Sequence, residues 1–274
     1  MTDLPLLLIG GGAAGAFGAL LGLGGGILIV PLLTLGFGLE LREAVGVSLV
    51  CVIVTSSATA SVYLQRDQAN LRLGMTLEMF TAVAALGGGL VAFLLPDRVL
   101  AIMFAALLLF VAVTMTRGRA AQSDDGVSEP DGVSAERRDG VDLAEALSGP
   151  GYRIHSLGPG IAGSLFAGIV SALFGIGGGI VKVPVMHLIM GVPLRVATAT
   201  SNLMIGVTAS AGGLIYLFRG GIDPYVAAPT AVGVFVGASL AARLAHRVDL
   251  RVLRLLFGVM LVFTALQMAL RASQ

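Results

Sequence analysis

The chain is laid out as long apolar blocks separated by short polar stretches. About 20 mostly apolar residues, at about 1.5 Å each, cross roughly 30 Å of hydrocarbon, so such blocks read as membrane helices. Eight segments are predicted: 4–37, 44–64, 75–95 and 99–116, then 157–191, 196–218, 225–245 and 250–270. The first and fifth are too long for one straight span and too short for two spans with a turn. Each must therefore be broken.

The breaks are legible as Gly22-Leu23-Gly24-Gly25-Gly26 and Gly175-Ile176-Gly177-Gly178-Gly179, followed by Pro31 and Pro184. Glycine clusters and proline weaken helices, and irregular backbone persists at membrane depth only where protein or a water-filled cavity satisfies it. These are the expected cavity-lining elements.

A shift of 153 positions superposes Ala14–Arg66 on Ala167–Arg219 without a gap, with 24 of 53 positions identical. The predicted fold is all-α: a polytopic membrane protein of two tandem repeats, each of about four helical segments and each opened by a broken helix. The first repeat spans 1–116, a hydrophilic linker 117–156, and the second repeat 157–274. The linker holds much of the charge and has the composition of a solvated connector, with a short helix expected near 134–147. Counting each broken segment as one crossing makes the halves parallel; counting it as two makes them inverted. Basic residues divide too evenly between the two faces to orient the chain. Secondary transporters are often built from two such repeats, with broken helices meeting at the substrate site.

Composition narrows the function. Only 12% of residues are charged, where a soluble domain carries about 25%, so a soluble fold is excluded. Net charge is +1, from 17 Lys and Arg against 16 Asp and Glu, and implies no nucleic-acid partner. Cys51 is the sole cysteine, so neither a disulfide framework nor a cysteine metal cluster is available. No basic residue precedes the first apolar run, so no cleaved secretory signal is expected. The scattered His, Asp and Glu suit no membrane enzyme; no catalytic residue, metal or cofactor is expected.

Lys182 follows the second break by three residues, where the matching position holds Ile29. A lysine at membrane depth is costly unless it pairs or meets water, which makes it a candidate anion ligand; the alternative is a break near the interface, with Lys182 snorkelling to lipid headgroups. Helices restarting after Gly24, Gly25 and Gly26 and after Gly177, Gly178 and Gly179 would direct unpaired N–H groups and positive dipole ends at an anion. Close helix packing is the alternative use of those glycines. Asn202, opposite Leu49, is the most informative polar residue of the following helices, whose serines and threonines otherwise suit bonds within their own helix. His187 is expected as a packing residue, Glu78 at the membrane interface, and Arg42 and Arg195 as headgroup anchors.

The glycine break, the trailing proline and the stretch Ala197-Thr198-Ala199-Thr200-Ser201-Asn202, with a weaker copy at Ala44-Val45-Gly46-Val47-Ser48, resemble the TauE/SafE family of sulfite exporters, also grouped as sulfonate uptake permeases. The resemblance covers nearly the whole chain outside the linker. It implies a multi-pass inner-membrane permease for sulfite, organosulfonates or related anions, with the glycine breaks and the Ser48 and Ser201 regions lining the route. The expected partners are a small anionic substrate and the lipid bilayer; homo-oligomerisation is left open. The rival readings are an anion channel and a non-transporting membrane scaffold or sensor.

Overall fold

The computed structural model describes residues 4–21, 24–65, 69–117, 147–149, 152–244 and 258–268. Most of the predicted linker with its expected helix lies outside them, as do Gly22 and Leu23 of the first break. The described residues are helical apart from connecting turns, as a bilayer demands of backbone that cannot hydrogen-bond to lipid.

In the first half, α1 spans Leu4–Leu21, α2 Gly26–Pro31, α3 Leu41–Gln65, α4 Leu71–Leu94 and α5 Asp97–Arg117. In the second, α6 spans Leu157–Phe174, α7 Gly179–Pro184, α8 Leu194–Phe218 and α9 Pro224–Leu244. A last apolar helix, α10, covers Gly258–Met268. Helices α1, α2, α3, α6, α7 and α8 keep the 153-residue offset at both ends. By length and apolarity α3, α4, α6, α8 and α9 qualify as membrane spans.

The broken segments are hairpins. Gly24 and Gly25 sit at φ 74° and 76°, Gly177 and Gly178 at 79° and 77°, a left-handed conformation that reverses the chain and that glycine adopts without steric cost. The returning helices run antiparallel to the ones before them: Gly25 lies beside Ala14 and Gly15, and Leu32 beside Gly10; Gly178 lies beside Ala167, Val185 beside Gly163 and Met190 beside Gly160. Pro31 and Pro184 offer no N–H, and at each the helix loosens into a π turn, Leu32–Gly36 and Val185–Ile189. Each return arm, with its π turn, spans 11 residues (Gly26–Gly36 and Gly179–Ile189), about 16 Å and half the hydrocarbon depth.

The hairpins settle the direction of the halves. Ser56 of α3 donates to the Asn202 carbonyl at 2.6 Å and accepts from the Gly206 N–H at 3.1 Å, while Leu49 lies beside Gly213. Low numbers on α3 thus meet high numbers on α8, and these matching helices are antiparallel. Each half's first helix packs on the other half's fourth: α1 on α9, and α6 on α4. On α1, Gly11 and Gly15 face the backbone of Thr230 and Val234, the small-residue approach that lets helices associate in lipid. This exchange interlocks the halves around the α3–α8 crossing.

Candidate functional site

The two breaks meet at that crossing. Gly24 and Gly177 both abut Val52 of α3 and Ile205 of α8, which themselves match at the 153-residue offset. Gly26 approaches the Gly175 carbonyl directly. Ser48 ties the breaks together, its hydroxyl 2.7 Å from the Gly175 carbonyl and 3.2 Å from that of Gly26. Residues 24–31 and 171–179 are all buried, and the Val52 and Ile205 side chains lie between the breaks. The centre is therefore packed in this conformation. A pocket of about 270 Å³ lies elsewhere, among Thr34, Leu39, Leu41, Asp97, Arg98 and Met268.

The glycines of both breaks and Ser48 meet at this centre, and the other candidate residues differ in their bonding. Ser48 is satisfied. Its counterpart Ser201 is fully buried with its hydroxyl unpartnered, as are the Ser171 hydroxyl and the Asn202 side-chain amide nitrogen. Asn202 is 2% exposed. Three polar groups that can donate are thus orphaned: Ser171 on α6 beside Gly178, and Ser201 and Asn202 on α8, about one helical turn before Ile205. A buried polar group left unbonded costs about 1–3 kcal/mol, so such a cluster calls for a reason.

Lys182 is buried and its ammonium is paired. It donates to Glu78 Oε2 at 2.8 Å and to Thr208 Oγ1 at 2.5 Å, and the Thr208 hydroxyl donates to Glu78 Oε1 at 2.5 Å. Glu78 is thereby moved from the interface, where the sequence reading put it, to the interior: its residue is 7% exposed. The reason is tertiary. Lys182 comes from α7, Thr208 from α8 and Glu78 from α4, 104 residues before the lysine, and no local pattern links them. The available signal was the pairing rule itself, since a lysine at membrane depth requires a carboxylate and Glu78 was the one apolar-segment candidate.

Several other polar residues bond backbone carbonyls. His187 bonds the Val192 carbonyl through Nδ1 at 2.9 Å, as a packing residue does. Thr55, Ser57, Thr59 and Ser210 bond carbonyls of their own helices. Arg42 caps the end of α4 through the Ala92 and Leu95 carbonyls and pairs with Asp97 at 3.2 Å. No cluster of three or more His, Cys, Asp or Glu suited to a metal ion lies among the described residues.

The sequence profile of the sulfite exporter TauE/SafE family matches residues 7–268. A probable membrane transporter protein of Bacillus subtilis, YunE, is 25% identical over 270 residues, covering 96% of each chain. A probable membrane transporter protein of Methanocaldococcus jannaschii is 29% identical over 229 residues, covering 81% of this chain and 75% of its own. No solved structure matches. The hairpins converging in a bundle of apolar helices and the match along nearly the whole length lead to one conclusion: the chain is a membrane transporter of the TauE/SafE family.

Proposed function

We propose that the protein is an inner-membrane permease for small sulfur-containing anions, sulfite or organosulfonates, and that the substrate's oxygens bind between the two glycine breaks. The observation that carries this reading is the orphaned donor set of Ser171, beside Gly178, and of Ser201 and Asn202, about one helical turn from the Ile205 that abuts both breaks. Sulfonate and sulfite oxygens accept hydrogen bonds, and hydroxyl and amide groups donate to them without needing to carry charge. The Gly24–Gly26 and Gly177–Gly179 backbones complete the site from either side, with Ser48 holding them in register and Lys182 adjoining. Val52 and Ile205 fill the space between the breaks, so binding requires the hairpins to part. That favours a carrier with alternating access over an open channel.

Thermal-shift screening of the detergent-purified protein against sulfite, thiosulfate, sulfate and methanesulfonate tests the substrate class. A binding anion raises the melting temperature in a concentration-dependent way. Asn202→Leu, which copies the residue at position 49, should retain the fold and abolish the shift. No shift with any of these anions, or an unchanged shift in Asn202→Leu, refutes the proposed site.

A further inference from the structure

We propose that the Glu78–Lys182–Thr208 cluster is a proton site that couples anion movement to the proton gradient, one proton with one anion. The inference rests on the reading above that the protein carries anions, and it adds the coupling ion.

The cluster is built as a switch. Its charges cancel while Glu78 is ionised and Lys182 protonated. Lys182 already carries its proton, so the acceptor is Glu78, whose side chain is 9% exposed against 1% for Lys182. A proton delivered by water forms an O–H bond on a Glu78 oxygen, and the water keeps its electron pair. The carboxylate becomes a neutral acid, and the cluster changes from net zero to net positive. Thr208, which accepts from the ammonium and donates to the carboxyl, continues to hold both groups. The uncompensated ammonium then attracts an anion at the adjoining break, to which the Lys182 backbone is tied by its 3.0 Å bond to the Gly178 carbonyl. Asn202 lies six residues before Thr208 on α8, about 9 Å along the helix. After the hairpins re-face, loss of the proton to water restores the ion pair and expels the anion.

No other titratable group competes for this role among the described elements packed around the pair. Helix α4 carries only Arg72 besides Glu78, and it is exposed. Helix α6 carries none. The α7 arm adds His187, bonded to the Val192 carbonyl. Helix α8 adds exposed Arg195 and Tyr216, whose hydroxyl donates to the Ala172 carbonyl.

The matching half carries neither charge. The threonine recurs as Thr55, but Lys182 is matched by Ile29, and Glu78 by Ala231 at the 153-residue offset or by Ala228 at the 150-residue offset of the later glycines. A buried ion pair is weak evidence for stability, and ionisable groups inside a membrane mark proton and ion pathways.

The test is methanesulfonate accumulation in liposomes, because this strong acid stays an anion on both sides. For the parent protein, an outside-acid gradient of one pH unit should raise accumulation up to about tenfold. In Glu78→Ala/Lys182→Ile, which removes both charges and leaves neither unpaired, the same gradient should change accumulation less than about twofold. A response equal to the parent's overturns the proposal. If the parent moves no methanesulfonate or sulfite, the transport reading fails, and infrared difference spectra in lipid still decide the proton site. A protonated-carboxyl band that grows on acidification and is absent from Glu78→Gln supports it; identical spectra overturn it.

Discussion

Replacing Gly26 by alanine tests whether the two breaks are pressed together. Gly26 has no positive φ, so alanine strains nothing locally; the cost comes from what its Cβ meets. That atom would lie 2.7 Å from Val52 Cγ2, 3.0 Å from Ser48 Oγ and closer still to the Gly175 carbonyl oxygen. A side-chain tip can rotate away, but Gly175 is backbone and caps α6, so the α2 and α6 ends must separate. Overpacking of this kind costs about 1–3 kcal/mol, and the backbone contact places Gly26→Ala near the upper end of that range. Two controls separate the causes. Gly38 has φ 71° and nothing within 4 Å, so Gly38→Ala should cost only the left-handed penalty of about 1–2 kcal/mol. Gly87, inside α4 and also without neighbours, should gain about 0.5–1 kcal/mol as alanine. Cys51 provides the assay, because it is the sole cysteine, is 0% exposed and sits on α3 beside the crossing. A thiol-reactive fluorogenic dye should report Gly26→Ala melting roughly 6–12 °C below the parent, at about 2–4 °C per kcal/mol. Gly26→Ala melting together with Gly87→Ala would refute the packed centre.

Two further outcomes follow from the bonding. Asn70 caps α4 by accepting from the Leu73 N–H at 3.1 Å and donates to the Leu147 carbonyl at 2.8 Å and to the Tyr152 hydroxyl at 2.7 Å; Asn70→Ala should therefore cost about 2 kcal/mol, read in the same dye assay. Lys182→Met alone should cost about 3–5 kcal/mol by leaving the Glu78 carboxylate buried and unpaired, whereas Glu78→Ala/Lys182→Ile should stay within about 1 kcal/mol of the parent; equal losses would show that the pair is not the buried partner set described.

Much of the architecture was legible because the bilayer simplifies the code. Length and apolarity decide a span, so the helix blocks and the points where α1 and α6 end were readable from local composition. The triplet glycines and trailing prolines located the breaks because each acts on its own backbone, through left-handed φ or a missing N–H. The family likeness rested on the same local, duplicated order. Three matters were beyond reach of that information. Whether a break continues across the membrane or doubles back depends on what the returning arm packs against, here Gly10, Gly15, Gly163 and Ala167 rather than lipid. The opposite directions of α3 and α8 follow from that reversal. The Glu78–Lys182 pair joins residues 104 apart, from helices that only the interlocked packing of α4 with α6 and α8 brings together. Sequence determined where the polar and flexible positions lie along each helix; tertiary structure alone decided which of them face one another, because contact across a bundle depends on helix direction and rotation, which no local pattern encodes.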